Sequence, residues 1–400
     1  MEKLAYISNF EKLGMGVFVH FGVYSKAGKG EWYKRAYQVP DEKYFKLVEK
    51  FKVKKTWAKE LVSTAKKAGA KYITLTTRQH DGFSLFDTCG LNDYDAPHSP
   101  TGRDLVREFV DECNKQGIVP FFYHTLLDWY NKDFKENFPA YIEYLIKSVE
   151  ILCTNYGKIG GLWFDGWWSN KEADWQFDRL YATIRRLQPD AMIINNTGLG
   201  RQGEVGHPEI DSVTFERGKP CFVDRSKKYV AGEMCQVLNN HWGYSAGDIN
   251  YKSVAHILGD LVDCRRYDCN FLLNLGPMGN GTIRPIDKAI FELIGSWIKT
   301  NKNIIYNLHS CEVQAENAYV LTDGEHYYAA IYDVPMRGSA HVVLQNGELK
   351  QVKILTDKRV KNARWLDSGK PIKVRKNAFL PEAFGYGVNY CIRLAKFDLE

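Results

Sequence analysis

The sequence predicts an α/β protein with a (β/α)₈-like barrel followed by a small C-terminal antiparallel β-sandwich. The first observation is that eight short apolar runs alternate with amphipathic helical patterns over residues 16–306. Strands joined by helical crossovers form parallel sheets, and eight of them is the number that closes such a barrel. The second observation is a change in the sequence pattern after residue 306, where short β-rich runs are separated by Asn-Gly, Asp-Gly and other glycine turns.

The strand-like runs and the helices between them can be placed along the chain in order. The runs occupy residues 16–22, 72–78, 119–126, 161–166, 191–198, 212–218, 231–237 and 270–277. Helical patterns such as WAKELVSTAKKAGA, GRDLVREFVDECNKQG and PAYIEYLIKSVEILCTNYG lie between most of them. A doubly wound open sheet is the alternative, but no GxGxxG follows a strand. We therefore expect a barrel domain at 1–307 and a β-sandwich domain at 308–400.

Composition limits the classes of partner. The net charge of +6 is modest, and the Lys/Arg-rich tract near 350–376 has no accompanying nucleic-acid motif, so we expect no nucleic-acid partner. No apolar run approaches the length of a membrane span, and the N-terminal residues lack the pattern of a signal peptide. The 9 cysteines are scattered, without CxxC or metal-ligand spacing, which is typical of reduced thiols. We expect a cytoplasmic protein without a metal or cofactor; a homo-oligomer is compatible with the sequence.

Aromatic residues are abundant, with 10 Trp, 24 Tyr and 21 Phe. Aromatic faces pack against the C–H faces of sugar rings, so this content fits a carbohydrate ligand. A large core accounts for it equally well, and core is the default role of any single aromatic.

Chemically active side chains recur where the predicted strands end, which is the edge at which barrel active sites form. Singly, each has an ordinary explanation as a turn residue or a satisfied buried polar group. Their recurrence at one edge is harder to attribute to chance. They are His20, Glu31-Trp32-Tyr33, Arg78-Gln79-His80-Asp81, Tyr123-His124, Asp128-Trp129, Asp165, Asn195-Asn196 and Glu216.

The absence of several known catalytic and phosphate-binding motifs limits the kinds of reaction that the sequence can be expected to support. The sequence contains no nucleophile elbow, no HExxH and no phosphate-binding loop. Three histidines at one edge could hold a metal, but two carboxylates among aromatics fit the cleavage of a glycosidic bond better. The stretch GGLWFDGWW (160–168) places Asp165 among aromatics at a strand end, where a carboxylate must be paired or hydrogen-bonded.

Motifs in a fixed order also carry a resemblance to a known family. GVFVHFGVYS, EWY, RQHDGFSLFDT, LWFDGWW and NFLLNLGPMGNGTI, in this order, resemble the α-L-fucosidases of glycoside hydrolase family 29. The resemblance covers roughly residues 10–306, and the HFG, EWY and HDGFSL elements are specific together. It implies a retaining glycoside hydrolase with a barrel catalytic domain and a C-terminal β-sandwich.

The resemblance also implies roles for particular residues. Asp165 falls at the position of the nucleophile, and Glu216, in DSVTFERG, falls where the family often has its acid/base. Glu233, in AGEMCQV, is the rival for the acid/base. The fucose pocket is expected to be lined by His20, Glu31, Trp32, His80 and Tyr123.

Two departures from the family pattern concern substrate recognition. Gln79 stands where many relatives have a histidine, and an arginine often found after strand five is absent at Thr197. Arg201 or Arg217 could take the place of that arginine.

The resemblance predicts hydrolysis of terminal α-L-fucose from oligosaccharides or glycoconjugates by double displacement, without a cofactor. Two alternatives stay open at this point. One is a retaining barrel glycosidase acting on another sugar, such as a galactoside. The other is a fucose-binding protein that has lost its activity. Linkage preference and the natural leaving group are not predicted.

Overall fold

The computed structural model describes residues 3–197, 199, 202–339, 341–342 and 348–400. Eight parallel strands form a closed barrel in chain order, and the first pairs with the eighth. This closure confirms the predicted barrel and rules out the open sheet. The strands are β1 (Met15–Val19), β2 (Tyr72–Arg78), β3 (Val119–Thr125), β4 (Gly161–Asp165), β5 (Met192–Asn195), β6 (Ser212–Glu216), β7 (Ala231–Gln236) and β8 (Cys269–Leu275).

Helices lie in most of the connections between these strands. In chain order the α-helices are α1 (Ala5–Leu13), which precedes β1, then α2 (Tyr33–Ala36), α3 (Asp41–Phe45), α4 (Trp57–Lys67), α5 (Leu105–Gln116), α6 (Asp133–Glu136), α7 (Phe138–Asn155), α8 (Phe177–Leu187), α9 (Val254–Arg266) and α10 (Pro285–Thr300), which follows β8. Short 3₁₀ helices occupy Val23–Lys26, Lys46–Lys50, Trp167–Asn170 and Ile304–Tyr306. Among the described residues, the connections after β5 and β6 contain no helix. None of the described helices is both long and apolar enough to cross a membrane.

Local signals account for the helix boundaries. Asp104 caps α5 by accepting a hydrogen bond from the backbone N–H of Arg107, and Gly117 ends this helix in the left-handed conformation. Asn137 caps α7 in the same way by accepting from Ala140. These three boundaries agree with the helical patterns in the sequence.

The inside of the barrel is filled by large aromatic side chains. Phe18, Tyr72, Phe121, Tyr123 and Trp163 belong to one buried cluster. Glycines make room for them: a Cβ on Gly16 would lie 2.5 Å from the Tyr72 ring, and one on Gly160 would lie 2.1 Å from Phe121. A packed layer of aromatic side chains therefore fills the barrel interior, and the carboxyl ends of the strands lie above this layer.

The C-terminal strands form two four-stranded antiparallel sheets. The order in one sheet is Tyr319–Thr322, Tyr327–Tyr332, Ile392–Leu399 and Val360–Trp365, and the order in the other is Lys373–Arg375, Ala378–Leu380, Val352–Leu355 and Gln314–Glu316. Val320 and Ala329 from one sheet share a buried core with Val352 and Phe379 from the other. This arrangement confirms the predicted sandwich. The strands are β9 (Gln314–Glu316), β10 (Tyr319–Thr322), β11 (Tyr327–Tyr332), β12 (Val352–Leu355), β13 (Val360–Trp365), β14 (Lys373–Arg375), β15 (Ala378–Leu380) and β16 (Ile392–Leu399).

Packing groups the chain into two compact units. One consists of Met1–Tyr251 with Asn270–Phe291, and the other of Lys252–Cys269 with Glu292–Glu400. These units are groups of mutual contacts, and a domain boundary between residues 307 and 308 stays a prediction.

Candidate active site

Two carboxylates stand at the ends of neighbouring parts of the barrel. Asp165 is the last residue of β4 and Glu216 is the last residue of β6, while Asn196 directly follows β5 between them. Because parallel strands present their carboxyl ends at one edge, the three side chains converge. The resulting site lies at the edge where the sequence analysis expected it.

The amide of Asn196 joins the two carboxylates. Its Nδ2 donates to Glu216 Oε2 at 2.7 Å and lies 3.3 Å from Asp165 Oδ1. The hydroxyl of Thr214 donates to Asn196 Oδ1 at 2.8 Å, which turns the NH₂ group toward the acids. Asp165 Oδ1 and Glu216 Oε2, the two oxygens bridged by Asn196, are therefore no more than about 6 Å apart, a close approach that is compatible with the roughly 5–5.5 Å separation of the carboxyl groups in retaining glycosidases.

Asp165 is held by donors on several sides. Trp168 donates its Nε1–H to Oδ1 at 3.2 Å, and the Tyr123 hydroxyl and His80 Nε2 lie 3.2 and 3.5 Å from Oδ2. Burial by itself raises the pKa of Asp165, but hydrogen bonds from His80, Trp168 and the backbone of Gly166, with the charge interaction of His80, outweigh it. The pKa of Asp165 lies below its ordinary value, and the group is ionised at neutral pH.

Glu216 has the opposite electrostatic environment. Burial, followed by the negative charge of Asp165, raises the pKa of Glu216 to about 7, although Asn196 and Arg217 act in the other direction. One carboxyl group is thus ionised while its neighbour retains a proton up to neutral pH. Such a separation of two pKa values distinguishes an acid from a nucleophile.

Glu233, the rival for the acid/base, lies within the barrel interior. It is only 1 % exposed, accepts from Tyr72 Oη at 2.5 Å and Trp163 Nε1 at 2.9 Å, and has each oxygen occupied by one donor. Burial raises its pKa to about 7 as well, so the pKa does not separate the two glutamates. Their positions do, because Glu216 lines the cavity at the strand ends and Glu233 does not.

Asp165 and Glu216 line a cavity at the strand ends, here called the inner cavity. Four of the five residues expected in the fucose pocket line it, namely His20, Trp32, His80 and Tyr123. The other lining residues were not among those predicted to bind the sugar, although LWFDGWW contains two of them, Trp163 and Trp168. They are Phe18, Gln79, Trp163, Trp168, Leu199, Cys235 and Trp242.

The hydrogen-bond network determines which nitrogen of His20 carries the proton. Asn274 donates its amide to the carbonyl of Trp242 at 2.6 Å, so its oxygen, 2.7 Å from His20 Nδ1, is the acceptor. Burial lowers the pKa of His20 to about 3, and the imidazole is neutral. Its proton is therefore on Nδ1, and Nε2 is left as a hydrogen-bond acceptor.

Aromatic rings surround His80. Trp32 lies edge-on to His80 with 5.4 Å between ring centroids, and Trp129 and Trp168 lie 5.9 and 5.8 Å from the same imidazole. His80 Nδ1 is 2.7 Å from the hydroxyl of Thr125. Trp32 itself remains 39 % exposed, so its ring can contact a ligand.

Glu31, the fifth expected residue, lines an adjoining outer cavity. It is buried, and its Oε2 accepts the backbone N–H of Gly243 at 2.7 Å.

The two departures from the family pattern occupy definite places. Gln79 Oε1 lies 2.6 Å from the Tyr123 hydroxyl, so the amide orients a group that is also close to Asp165. The Arg217 guanidinium packs 5.0 Å from the centre of the Trp242 ring and donates to the carbonyl of Asn240. Arg201 lies outside the described residues.

Other polar residues at the strand ends support loops and line neither of these two cavities. Asp81 accepts from the Tyr44 hydroxyl at 2.9 Å, and Asp128 accepts the backbone N–H groups of Tyr130 and Asn131. His124 is buried and hydrogen-bonded to Thr77.

Comparison with known proteins shows which family the chain belongs to. The family model described as alpha-L-fucosidase matches residues 2–303. A solved structure of alpha-L-fucosidase isoenzyme 1 from Paenibacillus thiaminolyticus is 30% identical, with 99% of each chain covered and a TM-score of 0.83.

Curated relatives give the same assignment. An alpha-L-fucosidase from Dictyostelium discoideum is 25% identical over 82% of this chain and 78% of its own. Tissue alpha-L-fucosidase from Mus musculus is 28% identical over 77% and 73%. The chain therefore belongs to the α-L-fucosidase family and is a glycoside hydrolase.

Proposed function

We propose that this chain hydrolyses α-L-fucosides with retention of configuration, using Asp165 as nucleophile and Glu216 as acid/base. The observation that carries the proposal is the pair of carboxylates bridged by Asn196 inside an aromatic-lined cavity. The ionised Asp165 and the proton-bearing Glu216 have the protonation states that the first step needs.

The reaction proceeds in two displacements. Asp165 attacks the anomeric carbon as the bond to the leaving oxygen breaks, and Glu216 transfers its proton to that oxygen. A fucosyl ester of Asp165 forms. Glu216, now ionised, takes a proton from a water molecule that attacks the same carbon and releases fucose and the Asp165 carboxylate. Each carboxyl group ends the cycle in its starting state.

The substrates we propose are oligosaccharides or glycoconjugates with a terminal α-L-fucose. His20 Nε2 is an acceptor for a sugar hydroxyl, and His80 and Tyr123 lie close enough to Asp165 to bond hydroxyls beside the reacting carbon. The exposed ring of Trp32 can pack against the methyl group of fucose.

A panel of 4-nitrophenyl glycosides tests the proposed sugar and activity. We expect kcat/KM to be highest for the α-L-fucoside, and proton NMR to detect the α anomer of fucose first. Faster hydrolysis of a galactoside would show that fucose is not the preferred sugar. A β anomer formed first would show that the enzyme inverts the configuration. Fucose binding without any turnover would support an inactive binding protein.

The pH profile of kcat/KM is expected to be bell-shaped. The basic limb lies near pH 7, because Glu216 loses the proton that it must donate as pH rises through its pKa. The acidic limb lies below the ordinary pKa of an aspartate, because Asp165 is inactive when protonated. Both limbs belong to the coupled pair. Activity that keeps rising above pH 8 would contradict Glu216 as the acid.

Replacing Asn196 by alanine is expected to lower kcat by about 10- to 100-fold, because the two carboxylates lose the group that sets their spacing. The hydrogen bond from Asn196 lowers the pKa of Glu216, so its removal moves the basic limb to higher pH. Asn195, which donates to the Tyr181 hydroxyl, provides the matched control Asn195→Ala, whose pH profile should match that of the wild type. An unchanged profile in Asn196→Ala would show that the bridge does not tune Glu216.

We also propose a cytoplasmic location. Its support is that none of the nine cysteines, each at a described position, forms a disulfide bond.

A further inference from the structure

An outer cavity adjoins the inner one at Glu216. Trp32, Glu216 and Trp242 line both cavities. In the proposed reaction Glu216 donates its proton to the oxygen of the bond being broken, so the fucose ring lies on one side of this glutamate and the leaving group on the other. The outer cavity is therefore placed to hold the leaving group.

Two exposed aromatic rings form part of the outer cavity. Tyr37 is 62 % exposed and Trp32 is 39 % exposed, although both are large side chains with considerable apolar surface. Open aromatic faces beside hydrogen-bonding groups suit the packing of a sugar ring. The polar groups nearby include Asn240 and Ser245.

The cavity also presents positive charge. Lys29 and Arg217 line it, both exposed, and neither forms a salt bridge with any acidic residue in the described parts of the chain. They rest instead on aromatic faces: Lys29 Nζ lies 4.6 Å from the centre of the Tyr37 ring, and the Arg217 guanidinium lies 5.0 Å from that of Trp242. These contacts leave both cations able to attract an anion.

The acidic residues of the same cavity are already engaged. Glu31 accepts the backbone N–H of Gly243, and Asp248 accepts from the backbone of Asn240 at 2.8 Å and lies 2.7 Å from His241 Nδ1. Both are buried, whereas the His241 ring is partly exposed. Glu216, the third acidic residue of this cavity, accepts from Asn196 and retains its proton up to neutral pH. The accessible charge is therefore positive.

We propose that the outer cavity binds the leaving group, and that this group is a sugar carrying an anionic substituent, either a carboxylate or a sulfate. The proposal rests on the proposed α-L-fucosidase function, because Glu216 must act as the acid for the outer cavity to face the leaving group. Tyr37 and Trp32 would pack against the ring, while Lys29 and Arg217 attract the charge.

The test compares three leaving sugars, and within each comparison fucose is attached through the same linkage. Disaccharides of α-L-fucose on O2, O3 or O4 of galactose, galacturonate and galactose 6-sulfate are assayed for kcat/KM at low and at physiological ionic strength. For at least one linkage we expect an anionic sugar to exceed galactose by about 3- to 10-fold at low salt, the effect of one or two exposed charge pairs. The preference should shrink as salt screens the charges. The galacturonate and sulfate arms identify which anion is preferred.

Variants separate the cations of this cavity from the general surface charge. The ratio of kcat/KM for the preferred anionic sugar to that for galactose should fall toward one in Lys29→Met and further in Lys29→Met with Arg217→Met. Lys115→Met changes an exposed lysine at the end of α5 and should keep the wild-type ratio.

Each outcome decides the proposal. Equal or better hydrolysis of the neutral sugar, no cleavage of any of these disaccharides by an enzyme that hydrolyses 4-nitrophenyl α-L-fucoside, or an unchanged ratio in both variants overturns it and leaves the fucosidase function intact. Failure to hydrolyse the 4-nitrophenyl fucoside overturns the proposed function itself.

Discussion

Replacing Asp165 by alanine is expected to lower kcat on 4-nitrophenyl α-L-fucoside by about 10³-fold or more, since the covalent route loses its nucleophile. Asp165 is the last residue of β4, and its side chain is surrounded by Tyr123, His80, Trp168 and Asn196. These donors stabilise and orient the Asp165 carboxylate. Among the described residues of the site, no other side chain occupies the position between these four donors.

Azide distinguishes loss of the nucleophile from general damage. In Asp165→Ala, azide can enter from the face that the carboxylate occupied, so the rescued product should be the β-fucosyl azide, with inverted configuration. Asp81→Ala is a matched control, because Asp81 is also an aspartate near a strand end but is buried and bonds Tyr44 and a loop backbone. It should lower stability without giving an azide product. Near-normal activity in Asp165→Ala would contradict the mechanism.

Replacing Glu216 by alanine is expected to have an effect that depends on the leaving group. With a fucosyl disaccharide, whose leaving oxygen needs a proton, kcat/KM should fall by about 10²- to 10⁴-fold. With fucosyl fluoride, whose leaving group needs little help, formation of the fucosyl-enzyme should be much less affected. Azide then attacks the fucosyl-enzyme, and the product should be the α-fucosyl azide, with retained configuration.

Glu233→Gln is the comparison that separates the two glutamates. The amide can still accept from Tyr72 or Trp163, so the variant should change stability with no dependence on the leaving group. If Glu233→Gln shows the leaving-group dependence and Glu216→Ala does not, the acid/base assignment is reversed.

Much of the fold and part of the site could be predicted because they depend on regular geometry. Buried parallel strands are continuous apolar runs, and all eight predicted runs overlap the observed strands. Since the carboxyl ends of those strands share one edge, a residue that ends a run, such as Asp165 or Glu216, must lie near that edge. The rule locates a residue by its place in the chain alone.

The rest depends on where side chains point and how loops fold. Asp81, His124 and Asp128 also lie at strand ends, but their side chains bond a helix, a neighbouring strand and a loop, respectively, outside the cavity. The adjacent residues Asn195 and Asn196 differ in the same way: one bonds Tyr181, and the other bridges the two carboxylates. A single position in the chain separates these roles, and sequence patterns alone do not resolve it.

The most direct test of the account is to trap the covalent intermediate on the wild-type enzyme. Incubation with 2-deoxy-2-fluoro-α-L-fucosyl fluoride, then proteolysis and mass spectrometry, should locate one fluorofucosyl group on Asp165, with enzyme inactivation proportional to labelling. Label on Glu216 or Glu233, or hydrolysis of the reagent to the β anomer without any labelled peptide, would contradict the claim that Asp165 is the nucleophile of a retaining enzyme.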